Sequence, residues 1–141
     1  RLFLEPYSRV LEASDGRLLS ASIADDGQWR FPQPDSVPFR FRQALITFED
    51  KRFESHFGVD VRSMLRAVQQ NISAGKIVSG GSTISMQVIR LSRKNQSRSI
   101  VEKVIEMLLA TRLEWRFSKN EIMTMYAAHA PFGGNVVGLD A

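Results

Sequence analysis

The sequence predicts a mainly α domain with a short β-segment at its N-terminus. From Phe39 onward apolar residues recur at helical spacing, and residue types that cap helices precede several of these stretches. Before Phe39 the apolar runs are short and lie between turn residues and prolines. We therefore expect a β-segment and linker over residues 1–38 and a helical domain over residues 39–141.

The β-segment is predicted from a turn signal. Asp15 and Gly16 stand between two short apolar runs, residues 9–13 and 17–21, and Asp-Gly in that position is typical of a β-hairpin. A turn-rich stretch with three prolines follows and ends at Pro38. This stretch reads as a linker.

Two helices are predicted in the middle of the chain. Asp60 is a plausible N-cap, and the apolar residues that follow it at helical spacing run out before Gly75. These apolar residues are Val61, Met64, Leu65, Val68 and Ile72. Ser82 and Thr83 then precede a short helix that we expect to end near Ile89.

Two capping-box patterns predict the last helices. Ser99 with Glu102 opens the longest helix, and Ser118 with Glu121 opens a final helix that should end before Pro131. No internal repeat or low-complexity tract interrupts this order.

Composition limits the classes of function. Hydrophobic residues make up 43% of the 141-residue chain, as in ordinary globular domains, and the net charge is +4 with mostly Arg as cation. This charge favours an anionic partner, but no nucleic-acid-binding motif appears and nucleic acid is disfavoured. The absence of Cys excludes disulfides and Cys-based zinc sites. No apolar run approaches the ~20 residues of a membrane span, so any anchor is expected outside this sequence.

An acidic pair, Glu49-Asp50, is the first candidate for chemistry. It follows an apolar run that ends at Phe48, and Phe53 comes one helical turn after Glu49, before His56. A carboxylate in aromatic, poorly solvated surroundings has a raised pKa, which suits proton transfer. The alternative is a solvated helix end with ordinary surface charges.

A glycine-rich turn is the second candidate. Gly80 and Gly81 would let the backbone approach a ligand, and the helix start behind them offers N–H groups to an anion. Ser82, Thr83 and Gln87 add neutral donors. A common loop before a helix cap is the alternative, and the P-loop pattern is absent.

Two further segments carry charged residues on predicted helices. Lys103 and Glu106 share a helix face near Glu102, with Arg98 just upstream; an exposed, salt-bridged helix is the alternative. Lys119 opens the last amphipathic helix. The two histidines, His56 and His129, have no metal-ligand spacing, so no protein metal site is predicted.

In this order the four segments resemble the peptidoglycan glycosyltransferases of family 51. Its patterns Glu-Asp-x-x-Phe-x-x-His-x-Gly and Gly-Gly-Ser-Thr-Ile-x-x-Gln begin here at Glu49 and Gly80. The helix with Glu106 and the Lys119 segment, which leads to Phe132-Gly133, match its later patterns, so the resemblance covers residues 39–141. Met86, residues 130–134 and residues 24–31 look like its penicillin-binding protein 1C branch.

The resemblance implies a lysozyme-like, mainly α fold with a cleft at the outer, periplasmic face of the bacterial inner membrane. The implied partners are lipid II, lipid-linked glycan, the inner membrane and cell-wall synthesis proteins. The implied product is a β-1,4-linked glycan formed with inversion, and undecaprenyl pyrophosphate leaves. No obligatory cofactor is implied, although a divalent metal, Mg²⁺ or Mn²⁺, at the pyrophosphate is compatible with the family.

The resemblance also assigns roles by matching position. Glu49 would be the general base for the acceptor 4-hydroxyl, and Glu106 would act on the pyrophosphate side, directly or through a metal. Arg98 and Lys103 match cationic positions around the leaving group, and Arg90, a further substrate-binding position, stands where many members have Lys. The remaining substrate-binding positions are Asp50, Phe53, His56, Gly80, Gly81, Ser82, Thr83, Gln87 and Lys119.

Departures from the family pattern keep two other functions open. Glu102 stands where the family usually has Arg, and Ala128 replaces an Asn. A domain that binds lipid-linked glycan or assembly partners without turnover is therefore the main alternative, and Glu102→Arg with Ala128→Asn would then create activity. A lytic enzyme of the lysozyme type, which would release soluble fragments from cell walls, is the second alternative.

Overall fold

The computed structural model describes residues 2–94 and 99–141, and helices dominate it. This confirms the mainly α prediction. None of the described helices is long and apolar enough to cross a membrane. The helices are α1 (Phe39–Phe48), α2 (Val61–Ala74), α3 (Ile84–Ser92), α4 (Ile100–Glu114) and α5 (Lys119–His129).

The N-terminal hairpin is present where the Asp-Gly signal predicts it. Strands β1 (Arg9–Glu12) and β2 (Leu18–Ser22) pair antiparallel, and Gly16 in the turn has a φ of 81°. An L side chain rarely adopts this left-handed conformation, which explains Gly at this position. The hairpin prediction is confirmed.

A three-stranded sheet was not predicted from the sequence. Strand β3 (Trp29–Arg30) runs parallel to β5 (Val136–Val137), and β5 pairs antiparallel with β4 (Pro131–Gly133). Strands of two or three residues are too short to show an alternating pattern. Their pairing also joins chain segments that are more than a hundred residues apart.

The chain divides into two compact units. The first contains the residues up to Val37 together with Thr124–Ala141, and the second is Pro38–Met123. In the first unit the ring of Phe3 stacks on His129, and buried Arg30 donates to the carbonyl of Pro6. The predicted boundary between residues 38 and 39 stays a prediction.

Helix α3 provides much of the core of the second unit. Its residues Ile84, Met86 and Val88 are fully buried, as are Phe53 and Ile122. Burial of side chains of this size contributes roughly 1.5–3 kcal/mol each. Gln87 and Arg90 on this helix are only half-buried, and both line the site described below.

Local capping explains where the helices begin. The side chains of Asp60, Thr83 and Ser99 each accept a backbone N–H at the start of α2, α3 and α4. The predicted N-caps are therefore confirmed. Only the second capping box closes in both directions, since Glu121 accepts from the backbone N–H of Ser118.

Four of the five apolar residues that predict α2 do not face the core. Val61, Leu65, Val68 and Ile72 are all exposed, and Ala67 is the buried residue of this helix. The same holds for Ile100, Val104 and Leu108 on α4. The helical spacing predicts the helices, but the two apolar stripes lie on the surface.

Candidate functional site

A cleft of about 610 Å³ lies in the second unit. It is bordered by the end of α1, the loop before α3, one side of α3 and the first half of α4. Two carboxylates from different elements, those of Glu49 and Glu106, line it together. The other residues that line it are Phe48, Asn71, Ile77, Ser79, Gly80, Ser82, Gln87, Arg90, Ser99, Ile100, Glu102 and Lys103.

Glu49 is the C-cap of α1, and its side chain is exposed to the cleft. The side-chain amide of Gln87 donates to Glu49 Oε2 at 2.9 Å. The expected aromatic surroundings are not formed, because Phe48 is 85% exposed and Phe53 is turned into the core. Glu49 is thus exposed and held by a neutral donor, which corrects the expectation of a poorly solvated carboxylate.

Glu106 is buried and forms a two-pronged ion pair with Arg90. Arg90 Nε and Nη2 donate to the two carboxylate oxygens at 2.7 and 2.6 Å. Hydrogen bonding to Glu106 raises the pKa of the Arg90 guanidinium above its usual value. The pair ties α3 to α4, and the remaining N–H groups of the guanidinium are not used by Glu106.

A second ion pair stands at the same edge. Arg93 Nη2 donates to both carboxylate oxygens of Glu102, which lines the cleft. Glu102 therefore bonds Arg93 and does not close the predicted capping box with Ser99. Because Arg93 compensates the negative charge of Glu102, this carboxylate is not an isolated anion in the cleft.

The loop before α3 is held by Asn71 of α2. Asn71 Oδ1 accepts from the backbone N–H groups of Val78 and Ser79 at 2.8 and 2.9 Å, and its Nδ2 donates to the Ser79 carbonyl at 3.0 Å. These bonds fix the backbone that leads into Gly80. Sequence reasoning missed Asn71, because its partners are not identifiable from local spacing.

Gly80 and Gly81 differ in how much space surrounds them. A Cβ at Gly81 would lie 2.7 Å from the Cα of Met64, so this residue allows close packing against α2. A Cβ at Gly80 would meet nothing within 4 Å. Only Gly80 of the pair lines the cleft.

The start of α3 already has an internal anion. The backbone N–H of Ile84 donates to Asp50 Oδ2 at 3.0 Å, and that of Met86 donates to Thr83 Oγ1. A carboxylate at a helix N-terminus is favoured by the helix dipole. The expectation that these N–H groups await a ligand is therefore corrected, because side chains of this chain occupy them.

The sequence-predicted site residues fall into three groups. The cleft brings together Glu49 and Glu106 with Gly80, Ser82, Gln87, Arg90 and Lys103. Arg98 lies outside the described residues. The others do not line the cleft, and their side chains or backbone pack in the interior of the second unit: Asp50, Phe53, His56, Gly81, Thr83 and Lys119.

The described part of the chain contains no ready set of protein ligands for a divalent metal. There, no three His, Cys, Asp or Glu side chains gather as a metal site would require. Both oxygens of Glu106 are already bonded to Arg90. The described residues therefore do not fit a metal held by protein ligands alone.

Comparison with known proteins gives consistent matches. A family model described as Transglycosylase matches residues 15–141. Penicillin-binding protein 1C of Escherichia coli (strain K12) is 41% identical over 135 residues, which is 95% of this chain and 17% of that protein. A monofunctional glycosyltransferase of Staphylococcus aureus (strain JH9) is 38% identical over 110 residues, which is 78% of this chain and 40% of that protein. The chain thus spans less than half the length of these relatives.

Proposed function

This chain belongs to the transglycosylase family, the family 51 glycosyltransferases, and we propose that it is a peptidoglycan glycosyltransferase domain. In this proposal it polymerises lipid II into β-1,4-linked glycan, and Glu49 is the general base. The similarity to penicillin-binding protein 1C and to a monofunctional glycosyltransferase supports the assignment. The undecaprenyl pyrophosphate product is part of the same proposal.

One observation carries the proposal: a proton acceptor and a cationic edge share a single cleft. Glu49 enters it from α1, while Arg90 and Lys103 enter it from α3 and α4. A glycosyl transfer from a pyrophosphate needs both, because the acceptor hydroxyl loses a proton and the leaving group gains negative charge.

The chemical step balances with these groups. The acceptor 4-hydroxyl oxygen attacks the anomeric carbon of the donor, and its proton passes to the Glu49 carboxylate. The bond between the anomeric carbon and the pyrophosphate oxygen breaks, and the leaving group keeps the electron pair. Attack on the face opposite the leaving group inverts the anomeric carbon, as in inverting glycosidases.

The Arg90–Glu106 pair supports the role of the cationic edge. A guanidinium held on one side by a buried carboxylate is fixed in direction, and it still has N–H groups for phosphate oxygens. A fixed cation stabilises developing charge without reorganising during the step. Glu106 is therefore proposed to hold Arg90 on the pyrophosphate side.

A membrane surface is the proposed setting. Exposed apolar residues recur on α2 and α4, and the net charge of the chain is +4. Both features favour contact with an anionic lipid surface such as the outward face of the bacterial inner membrane. Cell-wall synthesis proteins remain proposed partners.

The binding-only alternative draws on Glu102, which would weaken pyrophosphate binding. Its pairing with Arg93 argues against that effect, because the charge is compensated within the protein. We expect the parent protein to be active and Glu102→Arg to add little. Glycan synthesis that appears only after Glu102→Arg with Ala128→Asn would favour the alternative.

The test is polymerisation of lipid II by the full-length protein. The expected result is glycan chains that lengthen with time, with β-linked product from the α-linked donor. Lipid II binding without any chain growth would leave the binding-only function. Release of soluble fragments from purified cell walls would instead indicate the lytic alternative.

A further inference from the structure

A buried group of charged side chains lies beside the cleft and takes no direct part in the step above. It forms where the turn after α1, the start of α3, the end of α4 and the start of α5 meet, all within the second unit. Its members are Asp50, His56, Glu114 and Lys119, and the first three side chains are at most 4% exposed. Glu114 was not identified from the sequence.

Glu114 has two neighbours in this group, Lys119 and His56, and a third neighbour, Ser85, on α3. Its Oε1 accepts from Ser85 Oγ at 2.5 Å and from Lys119 Nζ at 2.8 Å, and it lies 3.8 Å from His56 Nδ1. A buried carboxylate requires such partners to offset its lost hydration. Glu114 therefore joins the end of α4 to α3 and α5 by hydrogen bonds. His56 Nδ1 has no hydrogen-bond partner among the described residues and approaches Glu114 only at ion-pair distance.

Asp50 occupies the other side of the same histidine. His56 Nε2 lies 2.8 Å from Asp50 Oδ2, which also accepts from the backbone N–H of Ile84. Because an ionised carboxylate only accepts, Nε2 carries the proton of this bond. Lys119 Nζ donates to the His56 carbonyl at 2.8 Å as well, so it fixes the backbone of the turn.

The two carboxylates thus hold adjacent residues of α3. Asp50 bonds Ile84 and Glu114 bonds Ser85, while Gln87 on the same helix donates to Glu49. Glu49 is the chain neighbour of Asp50. The distance between Gln87 and Glu49 is therefore set by how firmly α3 and the turn after α1 are joined.

Resting on the function proposed above, we propose that Glu114 is a positioning residue for the general base. It anchors Ser85 and Lys119 by hydrogen bonds, and Lys119 in turn holds the carbonyl of His56. Through this contact and the His56–Asp50 bond, Glu114 holds Glu49 in register with Gln87. On this account Lys119 and His56 also act by position and do not contact the substrate. A misplaced base costs rate, because proton transfer depends steeply on geometry.

Glu114→Gln is the test, since it removes the charge with little change of shape. Its matched control is Glu54→Gln, which also removes an ion-paired carboxylate, here the exposed partner of Arg42. We expect Glu114→Gln to lower kcat about tenfold or more and to leave KM for lipid II within about twofold. An unchanged kcat, or a raised KM alone, would overturn the positioning role.

Lys119→Met, combined with Glu114→Gln, separates positioning from substrate contact. If both residues act through one network, the double variant loses little more kcat than the worse single variant. If Lys119 contacts substrate, its variant raises KM and the two losses multiply. That second outcome would overturn the positioning role of Lys119. The kcat of Glu114→Gln would still decide the positioning role of Glu114.

A measurement without turnover keeps this inference distinct from the proposed function. The side-chain amide signals of Gln87 in NMR spectra should shift in Glu114→Gln in the same direction as in Glu49→Gln. Unshifted signals in a folded variant would refute the positioning role, whether or not the parent polymerises lipid II. Ser85→Ala, which removes a single bond to Glu114, is the second variant if Glu114→Gln does not fold.

Discussion

Asn71→Ala is expected to loosen the loop that borders the cleft. The change removes three hydrogen bonds, two from the N–H groups of Val78 and Ser79 and one to the Ser79 carbonyl. Each such bond contributes a net ~0.5–1.5 kcal/mol. Val78 is exposed, so water replaces part of the loss, and we expect a total of about 1–2 kcal/mol.

Hydrogen exchange measures this effect where it arises. Because about 1.4 kcal/mol corresponds to a factor of ten, the amides of Val78 and Ser79 should exchange about tenfold faster in Asn71→Ala. Gln70→Ala, at an exposed neighbouring position of α2, controls for the change in helix propensity. KM for lipid II should rise with the exchange rate.

Two results would refute this reasoning. Exchange of Val78 and Ser79 that matches the parent would show that Asn71 does not hold the loop. Faster exchange throughout α2, in Gln70→Ala as well, would show that the helix and not the loop had been weakened.

Two further predictions concern stability. Gly81→Ala should destabilise the fold by about 1–3 kcal/mol, because the added Cβ meets the backbone of Met64. Gly80→Ala should change the stability little, because a Cβ there meets nothing within 4 Å. Urea unfolding of the two variants measures the difference. Burial lowers the pKa of His129 to about 4, from 6.5, so the unfolded chain binds more protons between these values. The contribution of His129 to stability is therefore fully present above pH 6.5 and is lost as the pH drops toward 4. Thermal unfolding across this range should show a weaker fall in His129→Phe than in the parent, and an equal fall would contradict the assignment.

Local signals in the sequence predict the hairpin and the helix starts. Asp15-Gly16 and the N-caps Asp60, Thr83 and Ser99 act on their own neighbours, so a short window of sequence contains the cause. The pairing of β3 with β5 depends on segments far apart in the chain. No pattern within either segment indicates it.

The sequence likewise predicts only some of the residues of the candidate site. The motifs predict that Glu49, Gln87 and Glu106 belong to one site, and these residues line one cleft. Their chemical roles stay predictions. Asn71 and Glu114 could not be found, because their importance comes from partners on other elements. The apolar spacing of α2 indicates a helix but not which side of it is buried.

The role of Glu49 can be tested most directly by measuring turnover and lipid II binding side by side in Glu49→Gln. Glu54→Gln serves as the surface control. Removal of a general base should slow polymerisation by about a hundredfold to ten-thousandfold, while lipid II binding stays within a few-fold of the parent. Glycan synthesis by Glu49→Gln at the parent rate would contradict the central claim.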